Sequence, residues 1–329
     1  MRKRKSLIKT LIIVVAAATP LLLVDWREFL ATSKLADIYM ILIVFATIQI
    51  DRVFMTYKWT ILLRKSGVSI SIKTALKAYY IGSFWAAFLP SSIGGDVVRV
   101  KWLMKETSDR AYIISSIIVE RFIGALAQAF IALISFILLT EYMNLKVPFL
   151  SRIIYPLLLL SAVGVVMLFS RTSHKIIYGI VCHIPSRRLH ESIQKVSNSL
   201  MAFRARPGLL VSFLILSTCE QVFPIISTFA MAKAFLVDLS LIWAVITVPI
   251  ILAISRMPIS INSFGVRESA YALILSFAGV TVSQSVVMSL VDRVLLLVAT
   301  LPGALWMILP SGGHFPEPVI SRPADPAEG

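Results

Sequence analysis

Long apolar runs, separated by short polar or basic segments, fill most of this chain. Several approach the ~20 apolar residues that a helix needs to cross the hydrocarbon core of a bilayer. They lack a polar face of helical periodicity with which a soluble domain could cover them. The pattern therefore predicts an all-α polytopic membrane protein. The runs lie at residues 11–24, 38–50, 111–140, 153–170, 208–236, 241–255 and 283–309.

A polar, helix-breaking stretch with the sequence Phe-Leu-Pro-Ser-Ser-Ile-Gly-Gly-Asp-Val-Val-Arg, ending at Arg99, interrupts this pattern. Pro90 lacks a backbone N–H, and Gly94 and Gly95 lower helix stability, so we expect one helix to stop here and another to begin. Asp96 and Arg99 are three residues apart and share one helical face. Backbone N–H groups freed at such a break can hold an anion beside them.

The same pattern occurs a second time further along the chain. Residues 257–267 align without a gap with residues 89–99 and share Pro, Ser, Ile, Val and Arg at matching positions. We interpret the two stretches as parts of a duplicated unit. An apolar helix with an acid–arginine dipeptide follows each of them, Glu120-Arg121 after the first and Asp292-Arg293 after the second.

The two units are expected to run in opposite directions through the membrane. Repeat one covers about 78–140 and repeat two about 241–309. Basic residues on both sides of the first break predict a hairpin that enters and leaves by the cytoplasmic face, whereas the second break is reached from outside. Together with about six full spans, two re-entrant or broken hairpins then form inverted repeats, the architecture of many secondary transporters.

The formal net charge of +15 does not indicate nucleic-acid binding. The basic residues lie in short segments between apolar runs, where the positive-inside rule accounts for them. We therefore expect membrane lipids with anionic head groups as partners, and no nucleic acid. The longest basic segment, 171–207, is predicted to be cytoplasmic, with an amphipathic helix at 189–205 that lies on the membrane surface.

The basic N-terminus and the run at 11–24 predict a retained signal anchor, because a cleavage site should follow the run and the small residues fall within it. Residues 1–312 then form one transmembrane domain, and 313–329 a disordered tail. Both termini are expected in the cytoplasm. Asp51 and Arg52, after the run 38–50, are interpreted as an interfacial pair.

Cysteine and histidine usage gives no sign of a metal or cofactor site. The two cysteines are far apart in sequence, and the four histidines lack the i,i+4 spacing of metal ligands. We expect no disulfide frame, no metal and no cofactor.

Nine charged residues fall within the predicted membrane helices or breaks, where each would cost about 2.5–3.5 kcal/mol if it faced lipid. Adjacent charges on one helix point in different directions, so each needs a partner on another element or in a wet cavity. The simplest arrangement is one shared polar cavity. The candidate binding residues are Gly94, Gly95, Asp96, Arg99, Glu120, Arg121, Glu220, Arg267, Glu268, Asp292 and Arg293.

Two interpretations of these charges are open. The ion pairs could simply hold broken helices together in a low-dielectric interior. Arg99 and Arg267, however, each lie beside a break with free backbone N–H groups, and this combination suits a phosphate oxygen. Glu220, which Gln221 and Pro224 follow, is compatible with a helix kink and with a cavity wall.

Three motifs resemble the flippase-like family typified by the transmembrane region of lysylphosphatidylglycerol synthase. They are Pro-x-x-x-Gly-Gly-Asp-x-x-Arg within 89–99, Val-Glu-Arg at 119–121 with Gly124, and the stretch 258–268 that ends in Gly-x-Arg-Glu. The resemblance covers nearly the whole chain. It implies an integral protein of a bacterial-type inner (plasma) membrane that moves a lipid between leaflets. Aminoacylated phosphatidylglycerol, polyprenyl-linked sugars and hopanoid precursors are the lipids of different members, and lysine transfer is not expected from this polypeptide.

Three hypotheses for function follow. In the first, a lipid head group crosses a polar cavity between the hairpins, Arg99 and Arg267 bind its phosphate, and the acidic residues hold and release these arginines in turn. In the second, a polytopic enzyme acts on a lipid-linked substrate with Asp96 or Glu120 as base, although no catalytic motif supports it and we expect no enzyme. In the third, a membrane scaffold presents the basic segment 171–207 to partners or anionic lipids.

Overall fold

The computed structural model describes most of the membrane region. Its described residues are 36–65, 68, 70–89, 92–104, 109–145, 147–181, 186–257 and 263–308. The predictions for the first apolar run, the C-terminal tail and the two prolines at the breaks, Pro90 and Pro258, fall outside these ranges.

Thirteen α-helices make up the described part of the chain. They are α1 (Ile38–Lys65), α2 (Ile72–Phe88), α3 (Ser92–Leu103), α4 (Arg110–Ile137), α5 (Pro148–Leu168), α6 (Arg171–Val181), α7 (Arg187–Arg204), α8 (Pro207–Cys219), α9 (Val222–Ala234), α10 (Leu241–Ser255), α11 (Val266–Leu275), α12 (Val282–Val298) and α13 (Leu301–Ile308). A π-helical turn, Leu138–Tyr142, extends α4.

Five helical segments of these residues are long and apolar enough to cross a membrane. No β-strand occurs among the described residues, so the all-α polytopic fold is confirmed. The five segments are Ile38–Arg64, Arg110–Tyr142, Pro148–Leu168, Pro207–Ala234 and Val282–Met307.

The first described helix is longer than its prediction. The sequence pattern ends this span at Asp51 and Arg52, whereas α1 continues unbroken to Lys65. Charges are tolerated in mid-helix because neighbouring helices supply partners, as when Arg52 Nη1 donates a hydrogen bond to Ser83 Oγ of α2 at 2.7 Å. The predicted end of the helix at Asp51 and Arg52 is therefore wrong, and their position at the membrane interface stays a prediction.

Helices α2 and α3 form the first hairpin. At the start of α2, Ser71 Oγ accepts a hydrogen bond from Thr74 N at 3.1 Å, and after Phe88 the chain continues in the extended conformation at Leu89. A residue before proline favours this conformation. With 12 residues, α3 is ~18 Å long at 1.5 Å per residue, which is too short to cross a hydrocarbon core of ~30 Å.

Gly94 and Gly95 lie within α3 and not in the break, contrary to the prediction. The interruption falls between Phe88 and the first residue of α3. A Cβ added at Gly95 would overlap the carbonyl oxygen of Gly82 in α2, and one at Gly82 would lie 2.9 Å from the carbonyl oxygen of Gly95. These glycines let the two backbones meet, as small residues do between membrane helices.

Helices α10 and α11 form the second hairpin, and α4 fixes its first limb. Pro249 inside α10 has no N–H for the carbonyl of Val245. Ser135 Oγ of α4 donates a hydrogen bond to that carbonyl at 3.3 Å, and Gln128 Nε2 of α4 donates to the carbonyl of Pro249 at 3.0 Å. Two polar side chains of one long span therefore hold the kinked helix in place.

The remaining helices surround the hairpins. The predicted kink at Glu220 is a break, because α8 ends before Glu220 and α9 begins after Gln221. Helix α7 nearly coincides with the amphipathic segment 189–205, and its Phe203 is buried in a cluster with residues of α4 and α8. The position of α7 on a membrane surface stays a prediction.

Candidate functional site

Two ion pairs join the first hairpin to the long helix that follows it. Arg99 Nη2 of α3 lies 2.5 Å from Glu120 Oε2 of α4. Asp96, one turn before Arg99, pairs with Arg121, the residue after Glu120. Arg99 Nη2 also lies 4.0 Å from Asp96 Oδ1. The two neighbouring charges of α4, Glu120 and Arg121, therefore have separate partners, both of which lie on α3.

Aromatic rings enclose the guanidinium of Arg99. Its Cζ lies 4.2 Å from the ring centroid of Trp59 and 4.9 Å from that of Tyr79, and the residue is 5% exposed. Tyr79 Oη donates to Glu120 Oε1 at 3.4 Å, and Trp59 Nε1 donates to Ser116 Oγ at 3.0 Å. Cation–π contacts of a desolvated guanidinium are worth about 2 kcal/mol. Arg99 is thus held at a fixed position between α1, α2 and α4.

The second hairpin repeats this arrangement. Arg267 of α11 pairs with Asp292 of α12, and Arg293 Nη2 of α12 lies 2.8 Å from Glu268 Oε1 of α11. The Cζ of Arg267 lies 5.7 Å from the ring centroid of Tyr271. Again, an acid–arginine dipeptide on the long helix faces two opposite charges on the second limb of the preceding hairpin.

Glu268 also shapes the start of its helix. Gly265 has a φ of +79°, and its N–H donates a hydrogen bond to Glu268 Oε2 at 2.7 Å. The same carboxylate accepts hydrogen bonds from Arg293 Nε at 3.0 Å and Nη2 at 2.8 Å. Glu268 therefore ties the turn before α11 to α12.

A matching feature of both hairpins is a spare arginine donor. The Nε atoms of Arg99 and Arg267 are buried and have no hydrogen-bond partner among the described residues. A buried donor without a partner costs about 1–3 kcal/mol. Each arginine therefore has one donor that no described residue satisfies.

A fifth ion pair, which is buried, includes a residue that sequence reasoning missed. Lys58 Nζ of α1 pairs with Glu220, and the side chains are 3% and 10% exposed. Lys58 Nζ also donates to Ser217 Oγ at 3.1 Å. A signal was available, because Asp51 and Lys58 are seven residues apart and share a helical face with Thr47. The sequence interpretation did not include Lys58 among the candidate binding residues.

A cavity of about 160 Å³ opens between five helices beside the second hairpin. Of the predicted site residues in the described part of the chain, Arg267 and Asp292 line it, and the other nine are not in its lining. Asp51 lines it too, although the sequence did not suggest this role. The full lining is Thr47, Ile48, Asp51, Phe223, Pro224, Ser227, Thr228, Leu252, Arg267, Tyr271, Asp292 and Leu296.

Charged residues near the cavity extend toward Glu220 and toward α4, the helix that follows the first hairpin. Asp51 and Arg256 both interact electrostatically with Glu220, the partner of Lys58. Arg256 Nη1 also donates to the carbonyl of Gly124 at 3.4 Å, on the helix that carries Glu120.

No group of three or more His, Cys, Asp or Glu that could hold a metal ion occurs among the described residues.

In the comparison with protein families, one family model matches the chain. That model is described as the lysylphosphatidylglycerol synthase TM region and matches residues 6–303. No curated protein and no solved structure matches the chain.

Proposed function

The chain belongs to the family of the lysylphosphatidylglycerol synthase transmembrane region, and from this membership we propose that it moves a lipid between the two leaflets of the membrane. The family is a membrane domain associated with lipid-related function. The proposed lipid has an anionic head group, and the proposed location is a bacterial-type inner membrane with both chain termini in the cytoplasm.

The observation that supports this proposal is the pair of matched arginines. Arg99 and Arg267 are each bound by an acid of the following helix and each keep one buried Nε donor without a partner. A lipid phosphate is an acceptor with several oxygens and can bind a guanidinium through two hydrogen bonds. A phosphate oxygen would first accept a hydrogen bond from the free Nε of the arginine. When Glu120 or Asp292 moves away, the phosphate would accept hydrogen bonds from the other guanidinium nitrogens as well.

We propose that the protein changes conformation when Arg99 or Arg267 exchanges its carboxylate partner for a lipid phosphate. While Glu120 and Asp292 hold the arginines, the buried charges are neutralised and the hairpins are fixed to the long helices. A phosphate that displaces one carboxylate removes the tie on one hairpin, so a ligand with different affinity for the two states shifts their populations. We propose that Asp96 and Glu268 keep the two limbs attached through Arg121 and Arg293 during this exchange.

The cavity beside the second hairpin is the proposed route of the head group, although apolar side chains make up much of its lining and Arg99 is not part of it. Five helices contribute to its lining, including Arg267 and Asp292 at one hairpin and Asp51 in the middle of α1. Acyl chains would stay in the bilayer because only the head group carries charges that need this environment. Inverted hairpins would then present one arginine toward each leaflet.

The test uses vesicles that contain the purified protein and a fluorescent phosphatidylglycerol. A membrane-impermeant quencher reports which molecules have changed leaflet. We expect R99Q and R267Q to lose at least about tenfold in translocation rate, the equivalent of 1.4 kcal/mol of transition-state binding. R187Q, which removes an arginine that is 92% exposed in its ion pair, is the matched control and should retain the wild-type rate.

Gel filtration and circular dichroism establish that each variant is folded before reconstitution. Wild-type rates in both folded R99Q and folded R267Q would remove the proposed mechanism. R99K offers a second comparison, because lysine keeps the charge and loses the planar fork that binds phosphate through two hydrogen bonds. We expect R99K to be slower than wild type and faster than R99Q.

A further inference from the structure

Unlike five other acidic residues in and around the hairpins, Asp51 has no ion-pair partner among the described residues. Each of the others has an arginine or lysine nitrogen within 4.0 Å, whereas none of the described residues provides one for Asp51. Its Oδ1 atom is buried and accepts no hydrogen bond from them. The acids that are paired are Asp96, Glu120, Glu220, Glu268 and Asp292.

The position of Asp51 points to function and not to a helix end. It is the fourteenth residue of the 28-residue helix α1, and its side chain lines the cavity. Ser227, 6% exposed, lines the same cavity and has a hydroxyl without a partner in the described structure. The free Nε of Arg267 belongs to a third lining residue. An acceptor, a hydroxyl and a donor are therefore all unused around one space.

An unpaired carboxylate in such a place needs a positive charge. Burying it ionised costs several kcal/mol, and a bound proton or cation removes this cost. At longer range, the positive charges of Arg52, Lys58 and Arg256 stabilise the ionised carboxylate of Asp51. The negative charge of Glu220 destabilises it. Arg267 and Asp292 face the same cavity.

A proton fits this cavity better than a metal cation. Asp51 and Asp292 are the two carboxylates of its lining, and Asp292 is already paired with Arg267, so a metal ion would find a single free carboxylate there. A proton adds no volume and turns the carboxylate into a hydroxyl donor, for which the Ser227 oxygen is an acceptor in the same lining.

We propose that Asp51 is a proton-binding site, which takes one proton from water, holds it as the neutral carboxylic acid and returns it to water during each transport cycle. No other bond forms or breaks in this step. The exchange during a cycle rests on the proposed lipid movement, whereas proton binding itself does not. The protein would then hold a proton site on a residue other than the two arginines, in the cavity that Arg267 also lines.

The first experiment measures proton binding without any transport assay. An apolar carbodiimide, which reacts with protonated carboxyl groups in apolar surroundings, is added to the full-length wild-type protein in lipid nanodiscs at several values between about pH 6 and 9. Peptide mass spectrometry then gives the modified fraction of every acidic residue. We expect Asp51 to be modified well ahead of Glu120 and Asp292, which serve as paired carboxylates in the same molecules, and its modification to fall as pH rises.

Modification of Asp51 no greater than that of the paired acids would overturn the proposal. Protection of Asp51 by sodium at constant pH would overturn it as well, because it would identify a metal-cation site. Carbodiimide modification and its response to sodium do not depend on lipid movement. A failure of translocation in vesicles would therefore contradict the proposed function and leave the proton-binding proposal standing.

The second experiment measures exchange. Vesicles that contain the wild-type protein or D51N receive an imposed pH gradient, and the leaflet change of fluorescent phosphatidylglycerol is followed. We expect the gradient to change the wild-type rate and to have no effect on the D51N rate. A wild-type rate that ignores the gradient would overturn the exchange of a proton during transport.

Discussion

Glu120 and Asp292 are structural counterparts. Each is the eleventh residue of its helix, counted from Arg110 in α4 and from Val282 in α12. Each pairs with an arginine of the hairpin that precedes it in sequence. The two arginines also align in the predicted sequence repeat, so the proposed duplicated unit includes the ion pair as well as the helix break. A duplicated contact of this kind can be tested through its two partners.

The first prediction concerns the cost of breaking the pair between Arg99 and Glu120. R99Q leaves a buried carboxylate without a partner, which typically lowers the free energy of unfolding by about 3–5 kcal/mol. R99Q/E120Q removes both charges, and we expect it to recover most of this loss. Thermal unfolding in detergent micelles, followed by intrinsic fluorescence, measures both variants.

R187Q is the control for this comparison. Arg187 and Glu191 form an exposed i,i+4 pair at 3.1 Å, which should contribute less than about 1 kcal/mol. A double variant no more stable than R99Q would show that Glu120 does not depend on this partner.

The second prediction concerns the crossing of α2 and α3. In G95A, the added methyl group overlaps the carbonyl oxygen of Gly82, so the two backbones must separate. Overpacking of this kind costs about 1–3 kcal/mol, and we expect a lower Tm together with slower translocation. Thermal unfolding and the vesicle assay measure the two effects.

G124A is the matched substitution without the clash. A Cβ at Gly124 would meet no atom within 4 Å, and alanine stabilises a helix interior by about 0.5–1 kcal/mol relative to glycine. A Tm for G95A equal to that of G124A would contradict the close crossing.

The two glycine predictions also show what the sequence can and cannot reveal. The stretch Pro-x-x-x-Gly-Gly correctly predicts two helices in place of one, although its two glycines lie within the second helix and not in the break. The pattern cannot show that Gly95 packs on Gly82, because the contact joins residues on different limbs. Local pattern therefore locates an interruption, and the role of each residue in it depends on tertiary contacts.

Asp51 and Lys58 show the same limit for charges. A charge within an apolar run indicates either the end of a span or a partner elsewhere, and sequence alone does not distinguish these. The partner of Lys58 is Glu220, which lies 162 residues later at the break between α8 and α9. By contrast, adjacent charges such as Glu120 and Arg121 could be predicted to need separate partners, since they point in different directions on a helix.

The third prediction concerns Ser135 and Pro249. S135A removes the hydrogen bond to the Val245 carbonyl that Pro249 leaves without its helical donor, and we expect a loss of about 1 kcal/mol in stability. In the P249A background, the restored N–H satisfies the carbonyl, so S135A should cost much less. A double-mutant cycle by thermal unfolding measures the difference. Equal losses in both backgrounds would contradict this role for Ser135.

The last prediction concerns the direction of the two hairpins, which the proposed route for the head group requires. If each hairpin is re-entrant, residues before and after it lie on the same side of the membrane. Lys73 and Arg110 flank the first hairpin, Asp238 and Thr281 flank the second, and all four are exposed in the structure. Inverted repeats place the first two residues on one side and the last two on the other.

Single cysteines at these four positions measure this arrangement directly. The two native cysteines, Cys182 and Cys219, are first replaced by serine. We expect a membrane-impermeant maleimide to label K73C and R110C from the cytoplasmic face only, and D238C and T281C from the opposite face only. Labelling of all four in permeabilised membranes is the control for accessibility. Labelling of K73C and R110C from opposite faces would mean that the first hairpin crosses the bilayer, and the inverted arrangement would then be wrong.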